Sequence, residues 1–131
     1  MINLFSKYKI IFYVSNFILI ILYLFPGSLL GCFLYNDCKL QPQITKDFII
    51  STNHLYAFVL ISTIGYLTFN KSSQLIFLTF YLISLSTILE MLHYVIPDRS
   101  FEIPDLFGNL IGVIIITIIV YFFKKNENFK N

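Results

Sequence analysis

The chain has 131 residues, 57% of them hydrophobic and 12% charged, with a formal net charge of +2. A soluble domain is about a quarter charged, and the apolar runs here are too long for an ordinary core, so the composition points to an integral membrane protein. The small net charge, with lysines scattered toward the ends rather than interleaved with aromatics on one face, excludes a nucleic-acid partner.

Four apolar runs follow in chain order, each measured against the roughly 20 residues needed to cross about 30 Å of hydrocarbon. The first covers about 8–25 and closes at Pro26-Gly27, a pair that does not continue a helix. Its basic start (Lys7, Lys9) and the following "SLLGC" invite a cleaved-leader reading. The run is longer than a leader's apolar core, and Leu30 fits poorly before Gly31-Cys32, so it is read as a retained helix. The second run, about 53–69, is the shortest. The third covers about 75–96 and stops at Pro97; the fourth covers about 106–123 and ends at Lys124-Lys125. No internal repeat is evident, and the polar tail "KKNENFKN" reads as a solvated terminus. The expected fold is all-α: a single domain forming a four-helix transmembrane bundle.

Lys7, Lys9, Lys71, Lys124, Lys125 and Lys130 fall on one side of this threading, and Lys39, Lys46 and Arg99 on the other. The positive-inside rule then makes both termini cytoplasmic and turns the segments 26–52 and 97–105 outward. Cys32 and Cys38 lie in the first of these, with no second Cys pair or nearby His to suggest zinc. They read as free thiols acting as small apolar fillers, able to pair if the segment faces an oxidising compartment.

The stretch "LEMLHYVIPDRSFEIPDLFGN" (89–109) holds four of the seven acids, the only arginine and one of the two histidines. The up-down threading brings Glu90, His93, Asp105, Asn109 and His54 to a similar depth near the outer side. Glu90, seven residues before Pro97, lies roughly 10 Å down its helix at about 1.5 Å per residue. An ionised carboxylate facing lipid there costs on the order of 2–3 kcal/mol, so it must face the bundle interior, a wet cavity or a partner, or stay protonated. Ser86, Glu90 and His93 share one helix face, expected to point inward, and Arg99 and His93 are the expected partners of Glu90. Asp105 and Asn109 share a face of the fourth helix. Beside them Gly108 and Gly112 form a G-x-x-x-G pair that lets a neighbouring backbone approach, with the third helix as the expected neighbour.

Each residue also has a plainer role. Asp105 reads equally as a helix N-cap, Asn109 as interhelical glue, His54 as an interfacial histidine at a helix start, and Arg99 as a side chain reaching toward lipid phosphate. Asp98 and Glu102 read as solvated loop acids.

At Glu90, His93, Arg99, Asp105, Asn109 and Gly112 the chain resembles the VanZ-like family of small integral membrane proteins. That family's pattern is a glutamate with a polar residue three on, an arginine-bearing loop, then an aspartate, an asparagine four later and a glycine three after that. "LYLFPG" resembles the end of the family's first helix, and "NHLYAF" (53–58) the opening of its second. The likeness covers roughly residues 20–120. His93 stands where glutamine is commoner, and Ser51 where a lysine is often found. The resemblance implies a four-helix membrane protein, most naturally of a bacterial inner membrane. Its founding member is linked to resistance to teicoplanin, a glycolipopeptide acting on the cell envelope; that activity is not carried onto this chain.

Two functions follow as expectations. In the first, His54, Glu90, His93, Arg99, Asp105 and Asn109 bind an anionic head group of an envelope lipid or lipid-linked glycan, with Arg99 gripping phosphate. In the second, Glu90 or His93 acts as general base and Arg99 stabilises charge on a phosphoryl or acyl group. A divalent metal on Glu90, His93 and Asp105 is conceivable, but no H-E-x-x-H or comparable spacing occurs, and there is no nucleophile elbow around Ser100. Binding is therefore favoured, with no metal and no cofactor expected. A structural subunit of an envelope assembly, in which the polar network only fixes register and the chain can oligomerise, is the third reading.

Overall fold

The computed structural model describes residues 4–128, with side chains from Tyr8 to Asn126. The Lys7 side chain, Lys130 and the end of the polar tail lie outside the described residues. All regular structure among the described residues is helical: α1 (Leu4–Leu24), α2 (Leu29–Tyr35), α3 (Thr52–Thr68), α4 (Ser72–Leu92) and α5 (Ile103–Asn128). The four long helices correspond to the four apolar runs, and α2 is an addition to them.

The helices pack through stripes at helical spacing. Phe12, Leu19 and Tyr23 of α1, Phe58 and Ile61 of α3, Leu75, Leu78, Leu82 and Leu89 of α4, and Val113 of α5 form one buried core. The opposite faces are also apolar. Ile10, Val14 and Phe17 on α1, Ile76, Phe77 and Phe80 on α4, and Ile114, Ile118 and Phe122 on α5 are all exposed. A soluble protein rarely leaves so large an apolar surface uncovered. Two helices, α4 and α5, are long and apolar enough to cross a membrane, and a third span is possible if residues 8–24 and the sharply bent α2 count as one.

The tightest contact is between α3 and α5. A Cβ on Gly108 would lie 2.5 Å from the Ser51 carbonyl oxygen and 3.2 Å from His54 Cβ, and one on Gly112 would lie 2.8 Å from the Leu55 oxygen. The G-x-x-x-G pair thus does admit a close backbone, but the backbone is that of α3, not of α4 as expected. Sequence adjacency suggested α4; the glycine face turns instead to α3, while Asn109, one residue further round the helix, points to α4. The Ser51 N–H donates to the Pro104 carbonyl at 3.1 Å and ties the starts of the two helices.

Polar groups join the helices at several levels. The Tyr66 hydroxyl lies 2.6 Å from both Thr79 Oγ1 and Thr117 Oγ1, linking α3, α4 and α5. The Tyr81 hydroxyl donates to Asn16 Oδ1 at 2.7 Å, linking α4 to α1. At the end opposite Tyr23, Thr68 Oγ1 donates to the Tyr8 carbonyl and Lys124 Nζ to the Asn70 carbonyl.

Three expectations are corrected at the Tyr23 end. Helix α4 stops at Leu92, four residues short of the expected end at Ile96. The N–H groups of His93, Tyr94 and Val95 donate to the carbonyls of Glu90, Met91 and Leu92, a tightened final turn that unwinds ahead of Pro97. Glu90 is therefore in the last turn of its helix rather than two turns inside it. Second, Asp105 is not an N-cap: α5 begins at Ile103, and Asp105 lies in its first turn, where a carboxylate suits the positive end of the helix dipole. Third, Cys32 and Cys38 are not free thiols but form a disulfide. Helix α2 and its αL cap at Asn36 turn the chain back so that Ser28 N donates to the Cys38 carbonyl at 2.7 Å, which brings the two sulfurs together.

The segment after the disulfide folds over the start of α3. Asp47 Oδ1 accepts from the Thr52 N–H at 2.8 Å, and Asn53 bridges the Pro42 carbonyl and the Ile44 N–H. Overpacking a close backbone contact costs about 1–3 kcal/mol. Gly112→Val is expected to lower unfolding stability in detergent by that amount. Gly65→Ala, whose new methyl would meet only side-chain ends of Phe12 and Leu78, is expected to cost less.

Candidate functional site

The ends of α1 and α4 and the starts of α3 and α5 meet at one end of the molecule, and four of the six expected site residues are buried there, the other two partly. Glu90 and Asn109 are fully buried, His93 and His54 nearly so, and Asp105 and Arg99 partly. Ser86 and Glu90 do share the inward face of α4, and His93, at its C-cap, is buried on the same side.

Tyr23, which carried no role in the sequence reading, is the hub. Its hydroxyl donates to Asn109 Oδ1 at 2.7 Å, and its carbonyl accepts from His93 Nε2 at 3.0 Å. Its ring stacks on His93 and meets His54 edge-on, with centroids 5.9 and 5.1 Å away. Asn109 Nδ2 donates to the Ser86 carbonyl at 3.4 Å, so this one side chain joins α1, α4 and α5. The sequence signal for Tyr23 is its place on the stripe Phe12, Asn16, Leu19, Tyr23, which marks the buried face of α1 and ends in a hydroxyl needing a partner.

His93 and Glu90 are bonded as expected, with Nδ1 to Oε1 at 3.3 Å. A carbonyl only accepts, so Nε2 must carry a proton toward Tyr23; one further proton must then lie between Nδ1 and Glu90. Glu90 Oε1 also accepts from the Glu102 N–H at 3.1 Å, which anchors the 93–102 loop over the end of α4. Oε2 is buried with no hydrogen-bond partner among the described residues.

The expected pairing of Glu90 with Arg99 does not occur: no ion pair joins them among the described residues. Arg99 instead donates through Nη2 to the Leu22 carbonyl at 2.8 Å and through Nε to the Phe25 carbonyl at 3.2 Å. The last carbonyls of α1 have no partner within the helix, and a guanidinium there meets both their lone pairs and the negative end of the dipole. Burial pushes the Arg99 guanidinium down from its ordinary value, opposed by the negative charge of Asp105 and Glu90. Arg99 nonetheless stays charged.

His54 Nδ1 lies 2.8 Å from Ser51 Oγ and 3.5 Å from Asp105 Oδ1, a contact built by the Gly108 approach of α5 to α3. One ligand atom each of His54, Glu90 and Asp105 lie within 4.8 Å of one another. His93, whose two ring nitrogens are both engaged, is not in this group. Glu90 shares a proton with His93 Nδ1, which leaves Asp105 as the carboxylate of this group without a proton or cation assigned to it.

A cavity of about 540 Å³ opens between α1, α2, α3 and the segment 41–44. Its wall is mainly apolar (Leu19, Leu22, Leu34, Ala57, Leu60), with Tyr23, His54 and Arg99 at its polar part. Glu90, His93, Asp105 and Asn109 do not line it; they lie behind Tyr23 and His54. Glu90, Arg99, Asp105 and Asn109 were expected around one outward-opening pocket; of these Arg99 lines the cavity, with His54, and the other three lie behind.

Comparison of the chain with protein-family models, with curated proteins and with solved structures finds no match. Fold and site together define an all-helical protein with membrane-length apolar helices and a buried polar cluster at one end. Leaving a buried donor or acceptor unpaired costs about 1–3 kcal/mol. Asn109→Ala, which strips the Tyr23 hydroxyl of its acceptor, is expected to lower stability in detergent by about that amount, read as a shifted unfolding midpoint.

Proposed function

We propose that the chain is a VanZ-like integral membrane protein that binds the anionic head group of an envelope lipid or lipid-linked glycan, with the acyl part in the apolar cavity. The observation that carries this is the cavity's composition: a mainly apolar wall with a guanidinium and an imidazole at its polar part. Arg99 spends Nε and Nη2 on α1, and no described residue bonds its Nη1, which leaves a donor for phosphate.

In this reading all four long helices cross the bilayer. Helix α3, with 17 residues, reaches about 25 Å, short of the usual hydrocarbon thickness, and its neighbours accommodate the difference. The apolar outer faces of α1, α4 and α5 support lipid on all sides. The disulfide supports an oxidising compartment for the site end, in keeping with the basic residues collected at the other end and with cytoplasmic termini. A bacterial inner membrane fits both. The enzyme reading has less support, since Glu90 and His93 are sealed from the cavity.

The test is binding of phosphatidylglycerol against phosphatidylcholine to the purified chain. Wild type is expected to prefer the anionic lipid, and Arg99→Lys to lose about tenfold, about 1.4 kcal/mol. Ala57→Phe, which fills the cavity and leaves the polar cluster alone, is expected to weaken both lipids. Equal binding of the anionic lipid by wild type and both variants would exclude this site.

A further inference from the structure

We propose that His54, Glu90 and Asp105 form a binding site for one divalent first-row metal ion of the zinc type. The three residues come from three helices, α3, α4 and α5, and their ligand atoms converge within 4.8 Å. An imidazole nitrogen with two carboxylates is a donor set suited to such an ion, with soft thiolates absent and the borderline nitrogen excluding a purely oxygen-seeking cation as the best fit.

Glu90 supplies the second, independent observation. It is fully buried, and its two oxygens have different roles. Oε1 is held by the Glu102 N–H and His93 Nδ1, whereas Oε2 has no partner among the described residues. A buried carboxylate oxygen is rarely left in that condition without a role. Fixing one oxygen and leaving the other free is how outer-shell groups orient a ligand, and here His93 and the Glu102 amide are those groups. The His54 ring meets that of Tyr23 edge-on, and its Nδ1 lies 2.8 Å from Ser51 Oγ, a contact that an ion bound at Nδ1 would replace.

The spacing is near what coordination requires. Bonds of about 2.0–2.2 Å in a tetrahedral site put ligand atoms about 3.3–3.6 Å apart. His54 Nδ1 and Asp105 Oδ1 are 3.5 Å apart, and small rotations of the carboxyl groups close the remaining span. Charge points the same way. Asp105 has no permanent cation of its own, since the nearest one, Arg99, is turned toward the carbonyls of Leu22 and Phe25. His54 borders the cavity and Asp105 is only partly buried, so an ion has a way in.

The site does not depend on the lipid reading, and the two are measured separately. The full chain, purified in detergent, tag-free and stripped with EDTA, is titrated with zinc sulfate by calorimetry and by thermal unfolding. One equivalent is expected to bind saturably and to raise the unfolding midpoint, because a ligand of the folded state alone stabilises it. His54→Gln, Glu90→Gln and Asp105→Asn are each expected to weaken binding at least tenfold, while Asp37→Asn and Asp98→Asn leave it unchanged. Should Glu90→Gln not fold, Asp105→Asn carries the test at a partly exposed position. Absence of saturable binding, binding that survives the ligand substitutions, or loss through Asp37→Asn or Asp98→Asn would overturn the proposal.

Discussion

The close approach of α3 and α5 is the constraint on which the rest of this molecule depends. Only residues without a Cβ let the two backbones come together at Gly108 and Gly112, and the Ser51 N–H to Pro104 bond then fixes their register at one end. In that register the first turns of both helices face each other, and His54 is pressed against Asp105. A side chain at either glycine would wedge the helices apart at the point where the polar cluster is built.

The second requirement is that buried polar groups be satisfied, since an unpaired one is costly inside an apolar bundle. Tyr23, Asn109 and His93 meet it among themselves, each touching a different helix. Arg99 meets the need of the α1 terminus, and the Glu102 amide that of Glu90. The result is an order of layers: Glu90, His93 and Asn109 deepest, Tyr23 and His54 in front of them, then Arg99 and the cavity. Groups in the rear layer act through those in front. Glu90 Oε2 is the exception that the network leaves open.

Much of this was legible before any coordinates. Long apolar runs mark α1, α3, α4 and α5, because their apolar length outweighs local propensity. The inward face of α4 follows from the spacing of Ser86, Glu90 and His93. What escaped had physical reasons. Helix α2 has seven residues, too few to show a period. The early end of α4 reflects Pro97, whose ring clashes with the carbonyl four residues back, at His93, an effect that hydropathy does not register. The partner of the glycine pair depends on helix rotation, and the actual neighbour, α3, is more distant in sequence than α4. Arg99 was assigned to Glu90 on opposite charge, whereas unpaired helix carbonyls, which every chain carries and no residue letter marks, compete for the same donors. Tyr23 was hidden by its residue type, since in a chain with nine tyrosines one hydroxyl does not stand out.

The central claim is that α3 and α5 meet closely enough to couple His54 with Asp105. A double-mutant cycle on unfolding stability in detergent, with His54→Ala, Asp105→Asn and the pair, measures that coupling directly. Side chains in contact are expected to deviate from additivity by more than about 0.5 kcal/mol. Strict additivity of the two substitutions would contradict the close meeting of these helices and the cluster built upon it.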